Sequence, residues 1–138
     1  MKLLIDSSVF ISFFNDADVF HKESVIFFEK LLEDKNAINV LPILVFLETA
    51  NVLRKKIDAF NEIKLLDAFN EYEKVDLSFD SSRKYLLLFN QLHLRTSDAI
   101  IAACAKMEDA ILVTWDEKLA KEAKKITNAQ APLTLFKK

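Results

Sequence analysis

The 138-residue chain contains no glycine, where ordinary usage of about 7% would supply roughly ten. A Gly-rich phosphate loop of the P-loop or dinucleotide-binding kind is therefore excluded. Cysteine is reduced to Cys104, so no internal disulfide can form, and one cysteine with two histidines leaves no zinc-finger spacing. This cysteine usage points to a reducing, cytoplasmic setting. Long hydrophobic runs are also missing. The longest uncharged stretch, residues 36–47, falls well short of the about 20 residues that cross a bilayer. The apolar amino-terminal run is broken by Asp6, Ser7 and Ser8, which makes it a poor signal peptide. These features read as a soluble chain with no membrane partner. Nor is there an excess of either charge. A formal net charge of −2 gives no global attraction to nucleic acid, so a polyanion would have to be held by local charge or bound cations.

What is present is core material. Hydrophobic residues make up 51% and charged residues 29%, enough for one packed domain of common size spanning residues 1–138. KLLID (2–6) reads as a buried strand, with a helix starting near Val9. A helical stripe of Val25, Phe28 and Leu32 lies within 19–33. A second strand covers 38–41, and Pro42 opens a helix running to about Lys56. Leu65, Phe69 and Tyr72 stripe another helix. VDLSF (75–79) alternates as a strand, with Asp80 the expected N-cap of a helix carrying Tyr85, Leu88, Phe89 and Leu92. Residues 96–107 are apolar all round, which predicts a buried helix. Strand 110–114, a helix over 116–125 and a last strand at 133–136 complete the chain. Strands separated by helices predict parallel crossovers and an open α/β sheet covered on both faces.

Three acids stand in apolar surroundings and a fourth follows a buried strand. Asp6 ends the first strand, Glu48 interrupts PILVFLETANVL, Asp98 opens TSDAIIAACA, and Asp116 follows ILVTW. An ionised carboxylate in an apolar setting costs several kcal/mol, roughly, unless something compensates it. Each has an ordinary explanation alone. Asp6 can cap a helix, as can Ser7 and Ser8. Thr114 to Glu117 fits a capping box. Glu48 can face solvent, and Asp98 suits the first turn of a helix. Jointly they suggest more, because ligands of open parallel sheets bind beyond the carboxyl ends of the strands, near the topological switch point. Carboxylates gathered there repel one another and raise pKa values. A hard divalent cation relieves that repulsion, and Mg²⁺ or Mn²⁺ suits an all-oxygen site. Such ions activate water and stabilise attacking and leaving oxygens at phosphorus.

These residues resemble the PIN-domain ribonucleases, in particular the VapC-like toxins of type II toxin–antitoxin pairs. LLIDSSVFI is similar to the opening strand with its first acid, Asp6, and small polar residue, Ser8. LVFLETANVL, LRTSDAIIAACA and ILVTWDEKL are similar to the later motifs, carrying Glu48, Asp98, and Thr114 with Asp116. The resemblance covers nearly the whole chain. It implies an α/β/α sandwich with a mostly parallel sheet of four or five strands. It implies a Mg²⁺- or Mn²⁺-dependent endoribonuclease, catalytic and metal-binding at Asp6, Glu48, Asp98 and Asp116, with Ser8 and Thr114 orienting ligands. It further implies an RNA substrate, a homodimer, and a small antitoxin that inserts into or covers the cleft. One departure stands out. Many relatives carry another acid two or three places after the fourth, where this chain has Lys118 and Leu119, with Glu117 beside Asp116 instead.

Other residues divide between substrate contact and ordinary roles. Arg95 and Arg54 are candidates for RNA phosphates, whereas Lys55 and Lys56 suit the negative end of a helix dipole. Lys118, Lys121 and Lys125 read as a solvated face. Trp115 can stack on a base or pack beneath the cleft. Phe10, Phe13 and Phe14 are candidates for an interface with a partner helix. Cys104 reads as inert in its buried helix, and His21 and His93 as surface or capping residues. Two other functions fit the acids. One is a non-catalytic PIN-like module that binds metal or a partner. The other is a haloacid-dehalogenase-like phosphotransfer enzyme, against which Ser8 stands where a second aspartate is expected.

Overall fold

The computed structural model describes residues 1–137. Five strands form one fully parallel sheet: β1 (Lys2–Ile5), β2 (Ile38–Pro42), β3 (Glu73–Val75), β4 (Ile111–Val113) and β5 (Ala129–Gln130), in the order β3-β2-β1-β4-β5. The chain winds outward from β1 to β3, then returns to lay β4 on the other side of β1. The switch point therefore falls between β1 and β4, and Asp6 extends that pairing by donating its N–H to the Val113 carbonyl at 2.9 Å. Leu3, Leu4, Ile5, Leu112 and Val113 are almost wholly buried, as expected of strands covered on both faces.

Seven helices cover the sheet: α1 (Ser7–Phe14), α2 (His21–Glu33), α3 (Ile43–Lys56), α4 (Glu62–Ala68), α5 (Ser82–Phe89), α6 (Thr96–Met107) and α7 (Glu117–Ala123). Contacts join α1 to α2 and α3, and α6 to α5 and α7. Those groupings match right-handed crossovers, which place connections of opposite direction on opposite faces. The expected α/β/α sandwich is present. Among the described residues, no helix is long and apolar enough to cross a membrane.

Several expectations need correction. The segment 133–136 is not a strand; it lies in a 3-10 helix, Pro132–Phe136, and the last strand is β5. Only Val75 of the expected strand 75–79 is in β3, Phe79–Ser81 turns as a 3-10 helix, and the N-cap of α5 is Ser81 rather than Asp80. The buried face of α2 is shifted by one residue from the expected stripe: Ser24, Phe27 and Leu31 are buried, while Leu32 is 82% exposed. Serine at position 24 concealed that face, because periodicity searches follow apolar residues only.

Helix α6 is buried through its small residues, with Ala99, Ala102, Ala103, Cys104 and Ala105 inaccessible. Its end shows how the chain manages without glycine. Ala110 donates to the Ala105 carbonyl at 2.9 Å and Asp109 to that of Lys106 at 3.2 Å, a Schellman arrangement. The left-handed residue such a cap requires is Asp109, at φ 52°. Aspartate tolerates this conformation better than branched residues do. Asp109→Gly is expected to raise stability by about 0.5–1 kcal/mol and Asp109→Val to lower it by about 1–2 kcal/mol, both read from urea unfolding.

Candidate metal centre at the sheet switch point

Asp6 leaves β1 in extended conformation and becomes the N-cap of α1. Its side chain is 5% exposed, and hydrogen bonds converge on one oxygen. Oδ2 accepts from Ser8 Oγ at 2.8 Å, Thr114 Oγ1 at 2.8 Å and the Ser8 backbone N–H at 3.4 Å. Ser8 Oγ in turn accepts from the Trp115 backbone N–H at 3.2 Å, and Thr114 Oγ1 from that of Asp116 at 3.0 Å. The ends of β1 and β4 are thus laced together by hydroxyls that also orient the carboxylate.

The other acids approach from the flanking helices. Glu48 lies one turn and a half into α3 and is half-buried, with Oε1 enclosed and without a hydrogen-bond partner. Asp98 stands in the first turn of α6 and receives Arg95 Nε at 3.0 Å on Oδ2. Asp116 is exposed, and its Oδ1 accepts from the Leu119 N–H at 3.1 Å, so it is the N-cap of α7. The anticipated Thr114–Glu117 capping box does not form. Arg54 lies outside this group, placing Nε on Asn51 Oδ1 at 3.0 Å. Lys118, Lys121 and Lys125 are exposed.

Electrostatics bind three of the acids into one system. Burial pushes the Asp6 carboxyl above its ordinary value, against the opposing pull of the Ser8 and Thr114 hydroxyls, and the Asp98 charge adds to the rise. Burial also raises Glu48, reinforced by Asp6 and Asp98 and opposed by Arg95. The charges of Asp98, Glu48 and Asp116 all act on Arg95. The donor set fits a hard divalent cation: it is oxygen only, mutually repelling, and contains the orphaned Glu48 Oε1. Among the described residues, no three acidic, histidine or cysteine side chains stand close enough to enclose an ion as they are. Mg²⁺ keeps several waters and takes only one or two carboxylates directly, so a gap between donors is compatible with it.

Sequence reasoning left Trp115 between base stacking and packing, and did not find its partners. Trp115 is stacked on Phe20, with centroids 4.4 Å apart and planes 5° from parallel. Its Nε1 donates to Ser24 Oγ at 2.8 Å, and Ser24 bonds Ser12 Oγ at 2.6 Å. His21 Nδ1 meets the Ser12 carbonyl at 2.9 Å. Trp115 is therefore half-buried against the core, stacked on Phe20 and anchored to Ser24. No local pattern could have paired it with Ser24, 91 residues away in the chain.

The raised Asp6 carboxyl carries a stability consequence. Asp6 keeps its proton to higher pH in the folded chain than in the unfolded one, so stability falls as pH climbs from the ordinary aspartate range toward the folded value. Asp6→Asn removes the buried charge and keeps an acceptor for Ser8 and Thr114. In EDTA-treated protein at neutral pH, it is expected to raise Tm by about 3–5 °C. The gain should vanish in acid below the ordinary aspartate value, which thermal melts across pH would register.

No curated protein sequence matches the chain. Its fold is similar to VapBC2 from Rickettsia felis, solved with a DNA fragment from its promoter, at 22% identity and TM-score 0.68 over 95% of this chain and 98% of that one. A toxin–antitoxin complex from Klebsiella pneumoniae gives 21% identity and TM-score 0.69 over 94% and 97%. VapC20 of Mycobacterium tuberculosis, a sarcin–ricin loop cleaving toxin, gives 14% identity and TM-score 0.68 over 86% and 93%. The PIN domain model matches residues 3–125, and on that match this chain belongs to the PIN domain family.

Proposed function

We propose that the chain is a divalent-cation-dependent endoribonuclease and the toxin of a toxin–antitoxin pair. The observation that carries the reading is the electrostatic coupling of Asp6, Glu48 and Asp98 at the switch point, with a Glu48 oxygen buried and unpaired. Asp6, Glu48 and Asp98 would hold Mg²⁺ or Mn²⁺, with Asp116 at the exposed edge. The bound ion would supply water activation and neutralisation of charge developing at phosphorus. Ser8 and Thr114 hold Asp6 by one oxygen, so its direction is set before any ion arrives. Arg95, 75% exposed, is the cation best placed to meet an RNA phosphate beside the acids. Family membership, and a relative described as cleaving the sarcin–ricin loop, support RNA as substrate. Cleavage is expected to leave 5′-phosphate and 3′-hydroxyl ends.

An apolar groove of about 400 Å³ lies between α1, α2 and α4, away from the acids. Phe10, Phe13, Phe14, Phe28, Phe69 and Tyr72 line it, so the three phenylalanines expected to face a partner share one hollow. We assign it to an apolar segment of the antitoxin, as its fold relatives include toxin–antitoxin complexes. A homodimer is the assembly we propose for the active chain.

The non-catalytic reading keeps one observation in its favour. Asp116 is committed to capping α7, and Lys118 and Leu119 supply no further acid. RNA-end sequencing after brief expression separates the two. Wild type should yield new ends that disappear with Asp98→Asn, a loss beyond the roughly 10–100-fold caused by removing a supporting partner. New ends persisting in that variant, or none in wild type across a broad RNA panel, would overturn the nuclease. Phe13→Glu should abolish co-purification of the protein encoded by the neighbouring reading frame without affecting RNA cleavage.

A further inference from the structure

Arg95 has an unusual position. It is the N-cap residue of α6, where its donor-only guanidinium cannot accept a helix N–H, and it donates through Nε to Asp98 Oδ2 at 3.0 Å. Asp98 is 16% exposed at its side chain while Arg95 is 75% exposed, so the cation reaches in from solvent over the acid. Its charge also acts on Glu48. Asp6, by contrast, is held by two hydroxyls and a backbone N–H, with no cation on it among the described residues. Among the described residues, Arg95 on Asp98 Oδ2 is the one ion pair made by these acids.

We propose that Arg95 is a displaceable counter-ion: it holds Asp98 while no metal is bound, and gives up Oδ2 when a divalent cation enters. This inference rests on the metal-binding reading above. Guanidinium and divalent cation compete for the same oxygen lone pairs, and both answer the same repulsion between carboxylates. Because Arg95 is exposed, its hold is weak enough to be lost without cost to the core. Released, it lies at the rim of the site with all its donors free, where an RNA phosphate can take them. Neutralisation without metal and phosphate binding with it are then two positions of one side chain.

The test is calorimetric titration of Mn²⁺ alone into EDTA-stripped protein. Arg95→Gln is expected to tighten Mn²⁺ binding by about fivefold, the scale of one exposed ion pair. Arg95→Lys, which keeps the charge, should fall between Gln and wild type. The gap between wild type and Arg95→Gln should narrow as KCl is raised, because an exposed pair is screened within about 10 Å at 0.1 M salt; a merely structural role for Arg95 would not produce that dependence. Asp98→Asn serves as the control and should weaken Mn²⁺ binding strongly. Unchanged or weaker binding by Arg95→Gln, with Asp98→Asn impaired, overturns the counter-ion and leaves the metal site standing. Wild-type Mn²⁺ binding by Asp98→Asn removes the metal reading itself, and the counter-ion with it.

Discussion

A carboxylate is kept at the carboxyl end of a buried central strand, where an apolar side chain would pack at less cost. Everything around Asp6 answers that constraint. Its backbone N–H continues the β1–β4 pairing, and its side chain caps α1. The two hydroxyls that reach it come from opposite ends of the chain. Even so, burial outweighs the hydrogen bonds and the carboxyl resists ionisation. A carboxyl kept where burial disfavours its charge is a common mark of function placed above stability.

The hydroxyl lacing transmits order outward. Ser8 and Thr114 each receive a backbone N–H from the β4–α7 turn, so the carboxylate and the turn carrying Asp116 hold one another. Trp115 extends this through Ser24 and Ser12 into the packing of α1 against α2. Ser12 and Ser24 are fully buried polar groups, and each is satisfied within this chain of bonds. Asp6 therefore sits on a laced base, while Arg95, the one cation paired with these acids among the described residues, is exposed and held by a single contact. That contrast separates what must stay fixed from what can move.

Much of this was legible in the sequence, for physical reasons. Interior parallel strands read as continuous apolar runs, so β1, β2 and β4 stood out, as did the all-apolar α6. Asp6, Glu48 and Asp98 were conspicuous because charge in such runs is costly. What escaped notice lay at the edges and in polar substitutions. β3 and β5 are short edge strands with little apolar signal, and the segment 133–136 turned into a 3-10 helix behind Pro132. Ser24 concealed the buried face of α2. A pairing such as Trp115 with Ser24, 91 residues apart, depends on tertiary placement that spacing does not encode.

We propose that Asp6, Glu48 and Asp98 share a divalent cation, and anomalous diffraction from crystals soaked in Mn²⁺ can locate it. Shared coordination predicts one dominant peak at the β1–β4 switch point, within coordinating distance of Asp98 and at least one of the other two carboxylates, with the Arg95 guanidinium moved off Asp98. A dominant peak elsewhere on the surface, or none at this site at saturating Mn²⁺, would contradict it.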